Sequence, residues 1–115
     1  MTRATITIKR KNGIYDQLWY VNSDGYPASL GIEIFCNLKT VDDIERAVII
    51  FRKCRSVLET CFTLGEVESI APILKQINDY SYVFDEETGK WGFHCMNHEE
   101  FYDLEKELEQ YKRKK

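Results

Sequence analysis

Residues 3 to 9 alternate, with Ala4, Ile6 and Ile8 on one side and Arg3, Thr5, Thr7 and Lys9 on the other. A period of two predicts a half-buried strand. Asn12-Gly13 follows, a pair that suits a two-residue type I′ turn because both central positions need positive φ. Such a loop sets Lys9 opposite Asp16, Ile8 opposite Gln17, Ile6 opposite Trp19 and Ala4 opposite Val21. Leu18 and Tyr20 then fall on the second face, beside Thr5 and Thr7.

The pattern changes after the stretch NSDGYP, residues 22 to 27. Leu30, Ile34, Phe35 and Leu38 recur at helical spacing, and Ser29 is placed to cap that helix. Thr40 with Asp43 forms a variant capping box. Val41, Ile44, Val48, Phe51 and Leu58 continue as a stripe three and four apart, so a helix is predicted to about residue 60. Thr63 with Glu66 repeats the start signal, and a further helical piece is predicted from Ser69 to Ile77 because Pro72 is tolerated only in a first turn. Alternation then returns. Tyr80, Tyr82 and Phe84 lead to Gly89, and Trp91, Phe93 and Cys95 lead back, so Phe84 should oppose Trp91, Tyr82 oppose Phe93 and Tyr80 oppose Cys95. Asn97 with Glu100 marks the start of a last helix whose stripe is Phe101, Leu104, Leu108 and Tyr111.

The expected fold is α+β, with two β-hairpins forming a four-stranded antiparallel sheet covered by helices on its aromatic face, in the order ββ-αα(α)-ββ-α. No low-complexity linker divides the chain. At 115 residues it is expected to be one domain spanning 1–115.

Composition narrows the function classes. Apolar residues make up 43%, aromatic 13% and charged 30%, a balance that supports a packed core. Nineteen acidic against sixteen basic side chains give a net charge of −3, so general attraction to phosphate is weak and a nucleic-acid partner is not expected. The chain shows neither the apolar core of a secretory signal nor a run long enough to span a membrane, and the protein is expected to be cytoplasmic, with no membrane partner. Four cysteines (Cys36, Cys54, Cys61, Cys95) are scattered and read as free thiols.

Chemistry-bearing clusters are few. His94, Cys95 and His98 resemble a metal set, but one histidine falls at a strand end and the other near a helix start, so neither a metal nor another cofactor is expected. The acid pairs Asp42-Asp43, Glu86-Glu87 and Glu99-Glu100 lie in turns or first helical turns, where carboxylates cap and complement the dipole. A Cys-His nucleophile needs a thiol beside a base and an oxyanion donor; in the predicted register Cys95 faces the aromatic core, and Cys54 and Cys61 lie on or near a buried helical stripe, so the chain is expected not to be an enzyme.

In NSDGYP, Asn22, Ser23 and Asp24 can bond nearby backbone, Gly25 permits positive φ, and Pro27 holds Tyr26 extended or in the minor cis form. The stretch therefore reads as a corner from strand to helix. The ATITI strand, the aromatic strand, DGYP, a Leu-Gly helix and a later YSYVF…GKW hairpin together resemble small uncharacterised phage and prophage-type proteins that carry a DGYP segment. In those proteins an aromatic or basic residue often precedes Asp-Gly, where Asn22-Ser23 stands here. The resemblance implies no catalytic residues. It implies a non-enzymatic protein-binding module of mobile-element origin that inhibits a host or defence complex. Leu18, Tyr20, Asp24 and Tyr26 are the candidate contact residues, with Asp85, Glu86 and Glu87 as a polar rim. The same patch could join two copies in a homodimer. The alternatives are a small-ligand protein that binds a nucleotide signal by tyrosine stacking and, behind it, an RNA-binding sheet.

Overall fold

A computed structural model describes residues 3–21, 25–54, 66–68, 79–96 and 100–112. The strands among them are β1 (Ala4–Lys9), β2 (Tyr15–Val21), β3 (Glu66–Val67), β4 (Tyr80–Asp85), β5 (Lys90–Cys95) and β6 (Tyr102–Asp103). A π-helical turn, Pro27–Gly31, runs into α1 (Ile32–Asn37), and α2 (Val41–Cys54) and α3 (Leu104–Lys112) complete the described elements. The fold is α+β, built on one mixed sheet in the order β3-β2-β1-β4-β5-β6. The two expected hairpins are present, but they join through β1 and β4 side by side and parallel, with Ile6 beside Tyr82 and Ile8 beside Phe84. The expected four-stranded antiparallel sheet is thus corrected to six strands with a parallel centre. A strand joined to β2 by a two-residue turn would also run in the direction of β1 but would lie beside β2; the long connection from Val21 to Tyr80 is what lets β4 cross to the other side of β1.

The second hairpin has the predicted register, Phe84 to Trp91, Tyr82 to Phe93 and Tyr80 to Cys95. Gly89 closes its turn at φ +71°. The first hairpin differs near its loop. Gly13 N donates to the Arg10 carbonyl and Arg10 N to the Ile14 carbonyl, so the loop has three residues, with Gly13 at φ +89°. Lys9 therefore faces Tyr15, Ile8 faces Asp16 and Thr7 faces Gln17. A bulge at Leu18 then absorbs one residue and restores the predicted pairs Ile6 to Trp19 and Ala4 to Val21.

The core lies on the face that carries Ala4, Ile6, Ile8, Tyr82, Phe84, Trp91 and Phe93, against Ile34 of α1, Ile44 of α2 and Leu104 and Leu108 of α3. Leu30, Phe35 and Leu38 pack at its margin as their spacing predicts. Trp91 Nε1 donates to the Leu38 carbonyl at 2.8 Å, which ties β5 to the end of α1. Arg10 bridges Asp16 at 2.9 Å and Glu45 at 3.2 Å, linking the first hairpin to α2. Burial alone would disfavour the Arg10 charge; hydrogen bonds and charge from the two carboxylates outweigh it and raise the guanidinium above its ordinary value.

Helix starts are partly as predicted. Asp43 N donates to Thr40 Oγ1, so Thr40 caps α2 as predicted, while Asp43 Oδ2 accepts the Lys39 N–H, one residue before the cap. The Ser29 cap is corrected: the helical turn begins at Pro27, whose fixed φ suits a first turn. Glu66 belongs to β3, paired with Asp16, and starts no helix. The last helix begins later than expected because Tyr102–Asp103 pair with β5, and Asp103 Oδ1 accepts the Glu105 N–H at the head of α3. The continuation past Cys54 and the Ser69 to Ile77 piece lie outside the described residues. No helix among those described is long and apolar enough to cross a membrane.

On the second face of the sheet a set of polar side chains is buried. They are Thr5, Thr7, Gln17, Tyr20, Ser81 and His94. Thr5 Oγ1 and Thr7 Oγ1 have no hydrogen-bond partner among the described residues. A buried hydroxyl without a partner carries its desolvation cost uncompensated, so Thr5→Val, which keeps the shape, is expected to raise stability by about 1 kcal/mol in denaturant unfolding.

Candidate functional site

The corner after β2 is fixed from beneath. Tyr82 is fully buried, and its hydroxyl donates to the Gly25 carbonyl at 2.6 Å, a bond that joins the corner to the central sheet. Tyr26 is extended, at φ −77° and ψ 159°, and leads into Pro27 by a trans peptide, as no described residue has a cis bond. The Tyr26 carbonyl accepts the N–H groups of Ser29 and Gly31. Pro27 and Gly31 are buried, and a Cβ on Gly31 would meet Leu104 Cδ1 at 3.2 Å and the Tyr82 hydroxyl at 3.6 Å. The backbone on either side of Tyr26 is therefore held, while its ring stands 41% exposed. Beside it lies a depression of about 300 Å³ lined by Tyr26, Asp79, Tyr80, Cys95 and Met96. Met96 is 38% exposed. Asp79 Oδ2 accepts the Arg3 N–H, so this acid is already committed to holding the start of β1. Burial, and after it the charge of Glu107, pushes the Cys95 thiol up, which disfavours the reactive thiolate.

Of the seven residues expected to act together, the six that are described do not form one surface. Tyr20 is only 3% exposed, opposite Thr5 on the second face, so its assignment to an exposed patch is corrected; that face is covered there. Leu18 is half-buried and packs against the first-face core, because the bulge turns it away from Thr7. Asp24 lies outside the described residues. Tyr26 is exposed at the end of the sheet where β4 begins. Asp85, Glu86 and Glu87 lie at the other end of β4, five residues from Tyr80, or about 17 Å along an extended strand. They are no rim to Tyr26. Instead Asp85 Oδ1 accepts the Glu87 N–H, and Glu86 Oε1 accepts the Lys11 N–H across to the first hairpin loop.

Met96 and Tyr80 line this depression without having been candidates: the strand pattern marks Tyr80 as core, and Met96 carries no periodic signal. His94 and Cys95 are neighbours on one strand and point to opposite faces. His94 lies on the second face of the sheet, buried beside the Phe101 ring, 5.5 Å between centroids. His98 lies outside the described residues, and no group of three metal-ligating side chains occurs among those described. Cys36 and Cys95 are free thiols; Cys61 lies outside the described residues.

No family model, curated protein or solved structure matches this chain.

Proposed function

We propose that this protein is a non-enzymatic protein-binding module that engages its partner through the Tyr26 corner. The observation that carries this reading is an exposed tyrosine on a pinned backbone, next to an exposed methionine and a shallow depression. Tyrosine and methionine are enriched in protein interfaces, and an aromatic anchor whose backbone is already ordered loses little further freedom on binding. The resemblance to phage and prophage-type proteins extends the proposal: the partner is a host protein or defence complex, met in the cytoplasm and inhibited by occlusion.

Affinity capture tests this reading. Wild-type protein is expected to retain a specific partner that Tyr26→Ala and Met96→Ser do not retain, with all three equally folded. Equal capture by wild type and both variants would remove the corner from the interface. Light scattering after size exclusion distinguishes a homodimer, which would make the second copy the partner.

A further inference from the structure

On the second face of the sheet, at the end away from Tyr26, lies an open groove of about 440 Å³. Its floor includes Val83 and Gly92, paired across β4 and β5. Tyr15 and Phe101 line it from the two sides, and Trp91 lies at its margin. Gly92 has a reason to lack a side chain: a Cβ there would meet the Tyr102 carbonyl at 3.3 Å and Phe101 Cδ1 at 3.8 Å. The groove falls within the size range of small-molecule sites, and most of its wall is carbon.

Its charges are arranged in a row. Lys9, Asp85 and Lys90 are consecutive partners across β1, β4 and β5, so two ammonium groups flank one carboxylate. Asp85 Oδ1 already accepts the Glu87 N–H, and Asp103, at the β6 side, already accepts the Glu105 N–H. The lysines differ: among the described residues neither makes an ion pair within 4 Å, and Lys9 Nζ lies 5.9 Å from the Tyr15 ring centroid. Asp85 and Asp103 keep their charge, so the groove holds two acids and two bases, and the lysines supply the ammonium donors left unpaired among the described residues.

We propose that this groove binds a small planar aromatic anion. Its ring lies over Val83 and Gly92 between Tyr15 and Phe101, and its carboxylate or phosphate meets Lys9 and Lys90. An aromatic surface supplies stacking area at low entropy cost, and an ammonium-to-oxyanion hydrogen bond is among the stronger polar contacts. The site is independent of the Tyr26 corner and adds a ligand to the protein-binding reading.

Amide chemical-shift titrations of the intact chain test it with three probes. Indole-3-acetate and tryptamine share a ring and carry opposite charges, and adenosine monophosphate offers an aromatic base with a phosphate. At least one anionic probe is expected to bind with shifts centred on Val83, Gly92 and Phe101, and tryptamine to bind at least tenfold more weakly. The tighter of the two anions assigns carboxylate or phosphate. Lys9→Gln and Lys90→Gln are each expected to weaken the anion by about fivefold with an unchanged melting temperature. If Lys9→Gln lowers the melting temperature, exposed Lys90 alone carries the test. The proposal is overturned if neither anion binds at millimolar concentration, if tryptamine binds more tightly, if the shifts lie elsewhere, or if the folded lysine variants bind as wild type does.

Discussion

Tyr82→Ala is expected to lower the unfolding free energy by about 3–5 kcal/mol, among the largest losses for any single truncation in this chain. The side chain is fully buried, its ring lies 6.2 Å from those of both Tyr80 and Phe93, and its hydroxyl holds the Gly25 carbonyl. Tyr82→Phe separates the two contributions. It keeps the ring and leaves the carbonyl without its donor, and is expected to lose about 1–3 kcal/mol. Because the lost bond is the tie between corner and sheet, Tyr82→Phe should also weaken partner binding without altering the Tyr26 ring. Denaturant unfolding of both variants checks the order; a Phe variant as stable as wild type would show that the tie contributes nothing.

Ile6→Ala is expected to lose about 2–5 kcal/mol. Ile6 is fully buried at the centre of β1, between Trp19 on the antiparallel side and Tyr82 on the parallel side. Strands on both sides hold the backbone in place, so the site cannot collapse to fill the space left by the missing carbons. The midpoint of urea unfolding should fall while its slope is unchanged. A loss below about 1 kcal/mol would mean that β1 is not the central strand.

Strand patterns gave away the hairpins but not how they join. Tyr80, Tyr82 and Phe84 against Trp91, Phe93 and Cys95 predict their own register, because alternation and Gly89 agree on it. In the first hairpin the loop is one residue longer than Asn12-Gly13 implies, and the Leu18 bulge cancels the difference. The far half of the ladder is therefore as predicted and the near half is shifted. No period-two pattern names the neighbouring strand, so the parallel pairing of β1 with β4 was not legible. Glu66–Val67 and Tyr102–Asp103 are too short to carry any period.

The same physics explains what was missed at the surface. Thr5 and Thr7 alternate like a solvent face, with Tyr20 beside them; both faces of β1 are covered here, so polarity there marks a buried layer. Asp85 to Glu87 and Tyr26 are separated by the length of β4, a distance that only the register reveals. The groove over Gly92 depends on Phe101, which the helical stripe assigns to the last helix and the structure places before β6. Tyr26 was legible, because Pro27 and the turn formers before it mark a corner whatever the sheet does.

If Tyr26 is an anchor on a corner that folds without its ring, two numbers for Tyr26→Ala decide it: the unfolding free energy and the affinity for the captured partner. The expected result is a stability within about 0.5 kcal/mol of wild type and an affinity weaker by about 1–3 kcal/mol. A variant that binds as tightly as wild type, or one that loses binding only in proportion to its loss of folding, would contradict it.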